Sequence, residues 1–237
     1  ADDFTRALTG AQILSVGYHG KWILCETSRG WLLLCLGMGG EILLVTRQSL
    51  PQKWRVLFDL SADGGAASCL AVNFWWFGYT HFAARLEEHH MTAGLGPNAL
   101  DLDAPALQAL LGGRRGMLKS FLLDQDRIAG IGNFYVHDIL FQARLHPLRP
   151  IQSLTPAEIA ALAQAMRQRL QLSLDRGGFS YEKDLYGNPG GFGMQDLLIA
   201  YQEGKPCPAC GSAIQKIKTG STSGFICPQC QPLTITN

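Results

Sequence analysis

Four cysteines near the C-terminus constrain this chain more than any other feature. Cys207-Pro-Ala-Cys210 and Cys227-Pro-Gln-Cys230 are separated by sixteen residues. A C-x-x-C knuckle turns two thiolates toward one point, and two knuckles complete a tetrahedral zinc site. Cysteine fills every position, so the one zinc ion expected at Cys207, Cys210, Cys227 and Cys230 is structural and not catalytic. A redox dithiol is the competing reading, but such motifs usually occur singly beside a strand–helix unit. Between the knuckles, Ile214 to Ile217 and Ser223 to Ile226 can pair as a hairpin with Lys218-Thr219-Gly220-Ser221 at its tip. The result is a zinc ribbon over 196–237.

The second fixed point is Leu118 to Arg149, which reads as helix, glycine turn, helix. Leu118, Phe121 and Leu122 recur at helical spacing. Ala129-Gly130-Ile131-Gly132 breaks that pattern, because two glycines let the backbone turn and approach something closely. Asn133 is a good N-cap for a helix whose Val136, Ile139, Leu140 and Ala143 can face a core. That helix should stop near His146-Pro147, since proline disfavours helix in the residue before it. A glycine turn opening onto a helix N-terminus offers free N–H groups to a phosphate. A helix hairpin with packing glycines is the plainer alternative.

Before this stretch, residues 1 to about 90 look mainly β. Short apolar runs lie at Ile13–Val16, Trp22–Cys25, Trp31–Leu36, Ile42–Val45, Val56–Phe58 and Cys69–Val72, with Asp63-Gly64-Gly65 as a hairpin turn. Helices are expected over Pro105–Leu111 and Met117–Leu123. A further one has Thr155 as cap, Pro156 in first position, Glu158 closing a capping box and Gly177-Gly178 as the stop. Its apolar stripe is Ile159, Leu162, Met166, Leu170 and Leu174. The glycine-rich run from Phe179 to Gly193 is either a mobile functional loop or a plain connection. The fold class is therefore α+β: an N-terminal β-sandwich over 1–103, a helical domain over 104–195 and the ribbon. Of 237 residues, 47% are hydrophobic, enough for a sizeable core. A formal charge of only +1 excludes a strongly basic surface, so any nucleic-acid binding must come from a local patch. No apolar run is long enough to span a membrane. Seven cysteines, four of them in the knuckles, suit a reducing compartment.

The string Leu122-Leu-Asp-Gln-Asp-Arg-Ile-Ala-Gly-Ile-Gly-Asn-Phe-Tyr-Val136 closely resembles the helix–two-turn–helix of the formamidopyrimidine-DNA glycosylase and endonuclease VIII family. The ribbon follows it in the family's order, and the likeness covers roughly Leu8 to Cys230. It implies that Gly130, Gly132 and Asn133 hold DNA phosphates, with Lys119 one helix earlier. His19-Gly-Lys-Trp-Ile-Leu24 resembles the strand whose lysine, here Lys21, reaches the lesion pocket and its phosphates; on its own, such a lysine is a solvated edge residue. Leu36-Gly-Met-Gly-Gly40 resembles the loop that drives a methionine, here Met38, into the gap left by an extruded nucleotide; alone, Met38 reads as core filler. Asn73-Phe-Trp-Trp-Phe-Gly78 matches the segment with a second wedge, Phe77. Trp75 and Trp76 stand where the family usually has arginines, so Trp76 joins the wedge by stacking; a buried aromatic cluster is the alternative. In the ribbon, the family's arginine is replaced by Thr222. Gly94 to Leu100 resembles the linker out of the β domain, and Glu182 to Gly187 looks closest to the bacterial endonuclease VIII-like branch.

The resemblance implies a base-excision-repair glycosylase with AP lyase activity that removes oxidised bases through a Schiff base. Its partner would be double-stranded DNA carrying damaged or abasic sites, its setting the bacterial cytoplasm and nucleoid, and its state a monomer without membrane attachment. A catalytically inactive lesion-binding protein of the same fold is the alternative. Family members begin with proline and glutamate, which have no match here, so no catalytic residue is assigned. The expected explanation is a chain cut from a longer polypeptide.

Overall fold

The computed structural model describes residues 2–61 and 68–233, so the expected turn at Asp63-Gly64-Gly65 lies outside them. The chain forms two compact units, one running through Gly94 and including Asp175–Phe192, the other comprising Leu95–Leu174 and everything from Gly193 onward.

The first unit contains a helix, α1 (Asp2–Leu8), and seven strands: β1 (Ile13–His19), β2 (Trp22–Thr27), β3 (Gly30–Cys35), β4 (Glu41–Val45), β5 (Val56–Leu60), β6 (Ser68–Asn73) and β7 (Tyr79–Ala83). Six of the strands coincide with the apolar runs. β7 is not legible in that pattern because every residue in it is only half-buried. α1 departs from the mainly β expectation; Phe4 and Leu8, one turn apart, anchor it to the core. The strands make two antiparallel sheets, β1-β2-β3-β7 and β4-β6-β5. Cys25, Leu32 and Leu34 of one sheet and Ile42 and Val72 of the other share one buried cluster, which makes the unit a sandwich. β1 is an edge strand that turns Ile13, Leu14, Val16 and Tyr18 to solvent.

Asp175–Phe192, expected within the helical domain, packs instead with this sandwich. An edge contact attaches it: the Leu44 amide donates to the Leu185 carbonyl at 2.8 Å, on the open side of β4. Lys183 also pairs with Glu41 at 3.1 Å. Asp184 closes the loop tip by accepting from the Tyr186 and Asn188 amides.

The second unit holds α2 (Ala104–Leu111), α3 (Leu118–Leu123), α4 (Asn133–Gln142), α5 (Pro156–Asp175) and a hairpin of β8 (Gln215–Thr219) and β9 (Thr222–Ile226). Leu107, Leu118, Leu122, Val136, Ile139, Leu140, Leu162 and Met166 form its core. The expected capping box is present, with the Glu158 amide donating to the Thr155 hydroxyl and the Thr155 amide to the Glu158 carboxylate. The stripe of α5 stops short, because Leu174 faces solvent. Buried Asp138 ties three elements together. It accepts from the Leu198, Ile199 and Ala200 amides at 2.8–3.0 Å and lies 3.3 Å from the Arg169 guanidinium.

Candidate nucleic-acid interface and metal centre

The glycine turn between α3 and α4 is held from both sides. Gln125 accepts from the Gly130 amide at 3.0 Å and donates to the Leu123 and Ile131 carbonyls at 3.0 and 2.9 Å. Pro97 and Ala99 pair with Ala129 through two backbone bonds of 2.9 Å, and the Gly96 amide reaches the Gln125 carbonyl. What reads in the sequence as a linker is thus a brace for the turn. Gln125 carries no sequence signal beyond its place before two glycines, because its partners are backbone groups.

Gly130 has φ +107°, a conformation that favours glycine. Gly132 has φ −109°, open to any residue, so its missing side chain matters for what comes close and not for strain. Gly132, not Asn133, is the cap, and Asn133 is the first residue of α4. The Asn133 side-chain oxygen is buried without a hydrogen-bond partner among the described residues. A helix start with a bare glycine before it suits a phosphate; the orphaned Asn133 oxygen is an acceptor and adds nothing to that grip.

Lys119, expected at a phosphate, points elsewhere. It is only 2% exposed, and its ammonium donates to the Thr219 hydroxyl at 3.0 Å, the Thr222 hydroxyl at 2.9 Å and the Ser223 carbonyl. Burial lowers its pKa to about 8. The Thr222 position, empty of arginine, is where this lysine ends. Nearby His137, buried against Phe225 and Tyr201, is pushed down to about 3 by burial, with Lys119 adding to the effect. It is neutral at any working pH.

The four cysteine sulfurs all lie within 4.8 Å of one another, with Cys207–Cys230 at 3.8 Å and Cys210–Cys227 at 3.3 Å. Sulfurs held about 2.3 Å from a tetrahedral zinc ion sit at about that mutual distance, so the donor set fits. The Cys230 amide points at the Cys227 sulfur, and the Ala209 amide at that of Cys207. Gln231, fully buried, fixes the second knuckle by accepting from the Cys227 amide and donating to the Leu145 carbonyl. The cysteines hold one structural zinc ion, and the ion stiffens the hairpin that Lys119 grips.

In the sandwich unit, Lys21 is exposed in the two-residue turn joining β1 and β2. Gly20 has φ +58° beside it, and Trp22, buried against Tyr79 and His89, anchors the far side. Desolvation by the packed strand ends lowers the Lys21 pKa. Met38 and Trp76, far apart in sequence, form a β-bridge, the Met38 amide donating to the Trp76 carbonyl at 3.0 Å. Gly37 permits this approach: φ there is +63°, and a side chain would run into the 76–78 backbone. Phe77 itself has φ +61°, a strained conformation for a bulky residue. Met38, Trp76 and Phe77 are 62%, 72% and 68% exposed. The structure therefore brings Met38, Trp76 and Phe77, the three residues expected as a wedge, together at the surface, against the readings of core filler for Met38 and buried cluster for the tryptophans.

A braced glycine turn at a helix start, next to a metal-pinned hairpin in one unit, and a strained apolar projection in the other define a zinc-ribbon, helix–two-turn–helix protein built to grip a nucleic-acid backbone. Family models agree: the formamidopyrimidine-DNA glycosylase N-terminal domain matches residues 1–72, its H2TH domain residues 93–184, and a zinc finger found in FPG and IleRS residues 204–233. A formamidopyrimidine-DNA glycosylase of Gluconobacter oxydans is 38% identical over 97% of this chain and 86% of its own length. The structure of MutM (Fpg) from Thermus thermophilus matches with TM-score 0.79 and 31% identity, over 95% of this chain and 85% of that one. Lactococcus lactis Fpg in complex with DNA containing an abasic site matches with TM-score 0.82 and 26% identity, over 98% and 86%. The chain belongs to the formamidopyrimidine-DNA glycosylase family. These relatives do not bear the endonuclease VIII name that the Glu182–Gly187 segment suggested.

Proposed function

We propose that the protein is a DNA glycosylase with AP lyase activity that excises oxidised bases from duplex DNA in base-excision repair. The observation that carries this reading is the braced Gly130–Asn133 turn, in a chain 38% identical along almost its whole length to a formamidopyrimidine-DNA glycosylase. The glycosidic carbon of a base cannot be reached inside a duplex, so the nucleotide must leave the stack. Gly130, Gly132 and Asn133 bind the phosphates of the bent backbone, with Lys21 contributing from the sandwich unit. Met38, Trp76 and Phe77 fill the space the nucleotide vacates. An amine then displaces the base, forms a Schiff base with the sugar and allows the strand to break by elimination. None of the described residues is assigned as that amine. The described residues contain no helix long and apolar enough to cross a membrane. We place the enzyme with the bacterial chromosome in the cytoplasm, as a monomer.

Borohydride trapping of the native protein on abasic duplex DNA tests this reading. A covalent adduct is expected. Tight binding without an adduct would instead support a non-catalytic lesion binder, and equal affinity of wild type and Asn133→Ala for the abasic duplex would remove the interface itself.

A further inference from the structure

Three of the six histidines, His81, His89 and His90, meet beside β7, and the proposed function uses none of them. His81 Nδ1 and His89 Nε2 are 2.7 Å apart. The other nitrogen of His89, Nδ1, lies 2.9 Å from the Thr92 hydroxyl, which itself donates to the His89 carbonyl at 3.5 Å. The hydroxyl therefore accepts from Nδ1–H, and Nε2 is left with a bare lone pair turned toward His81. A ring N–H bonded to a neighbouring oxygen is the arrangement that orients a metal-bound histidine. Trp22 packs edge-on against His89 at 5.2 Å and tilted against His81 at 6.0 Å, with Tyr79 on His81 at 5.7 Å, so both rings are held in place. The ring centre of His90 lies 5.3 Å from that of His89 and 6.1 Å from that of His81. His90 is exposed, so rotation of its side chain brings a third imidazole to the pair. All three line an open cavity of about 530 Å³, which gives an ion a way in and room for water.

We propose that His81, His89 and His90 form a second metal site, separate from the four cysteines, that takes one zinc-class divalent ion with water as its fourth ligand. Imidazole nitrogens suit such ions, and three of them with an open position make a tetrahedral set. Two nitrogens each about 2.05 Å from a tetrahedral ion lie about 3.3 Å apart, so the His81 and His89 rings need part by only about 0.6 Å. His81 then carries its proton on Nε2, and binding releases none from the pair. Desolvation lowers the pKa of both residues, which keeps them in the neutral form that ligates. Neutral nitrogens and a water leave this ion more readily exchanged than one enclosed by four thiolates. When bound, it ties residues 89 and 90 to β7.

Titration calorimetry with Zn²⁺ tests this on protein dialysed into metal-free buffer with its ribbon ion retained. One further ion per chain should bind, and amide exchange over residues 86–93 should slow. Co²⁺ in the same site should give visible d–d bands without the thiolate charge-transfer band of a cysteine site. Thr92→Val removes the oxygen that orients His89 and should weaken uptake by about 10- to 100-fold. His90→Asn, at an exposed position, should also weaken uptake while leaving the thermal unfolding of the dialysed protein unchanged. His81→Asn with His89→Asn should abolish uptake. Absence of a further ion on the wild type overturns the proposal and leaves His81 and His89 as a pair that satisfies itself. Uptake that survives in the double variant overturns it too, by placing the ion on other groups. So does unchanged affinity in both Thr92→Val and His90→Asn.

Discussion

The ammonium of Lys119 in α3 lies 2.9 Å from the hydroxyl of Thr222 in β9, a residue 103 positions later in the chain. One buried cation thereby joins the helical core to the hairpin above the zinc knuckles. Its reach is specific, because the same nitrogen also meets Thr219 and the Ser223 carbonyl.

Lys119→Met should therefore loosen the hairpin more than the helices. Two hydroxyls and a carbonyl lose their donor, and an unsatisfied buried group costs about 1–3 kcal/mol. Urea unfolding gives the total, and faster hydrogen exchange confined to residues 215–226 locates it.

The same lysine sets a pH dependence. Burial holds its folded pKa at about 8, below the ordinary 10.5. Between those values the unfolded chain binds more protons than the folded one, so raising the pH favours folding. Stability of the wild type should rise between pH 8 and 10.5 relative to Lys119→Met, whose curve lacks this contribution. Thermal melts of both proteins across that range measure it.

Chelation should remove one zinc ion per chain and loosen β8–β9, because the ion is what draws the two knuckles to one point. Amide exchange in the hairpin should increase and affinity for abasic duplex DNA should fall, while α2 to α5 persist in the circular dichroism spectrum.

Gln125→Ala removes three hydrogen bonds from the glycine turn at once. A stability loss of about 1–3 kcal/mol is expected. The more telling outcome is weaker binding to abasic DNA by a side chain that need not touch it, read by fluorescence anisotropy beside Asn133→Ala.

Asp138→Ala should be the most damaging of these changes, at about 3–5 kcal/mol, since it strands the buried Arg169 charge and three amides. Thermal unfolding measures it.

Periodicity and punctuation made much of this legible. The capping box at Thr155 and Glu158 is local chemistry that acts the same in any context, and the cysteine spacing dictates its own geometry. Runs such as Trp31–Leu36 are strands because they are buried on both faces. The fate of Lys119 was not legible, since its partners lie a hundred residues away and a lysine on a short helix usually meets water. Gln125 and Gln231 escaped for a related reason: glutamines that serve backbone groups leave no pattern. The Met38–Trp76 bridge needed the resemblance to be suspected, because each residue alone reads as packing. The attachment of residues 175–192 to β4 depends on a backbone pairing, and backbone pairings have no side-chain signature.

That attachment has a consequence for biosynthesis. Leu185 covers the exposed side of β4 with a backbone hydrogen bond, so that edge of the sandwich, nearly all of which is translated first, stays bare until residues 175–192 leave the ribosome. The residues of 95–174 emerge in the meantime, and at about 5–20 residues per second they leave that edge uncovered for several seconds. A polypeptide released at residue 94 would keep that strand bare and should self-associate.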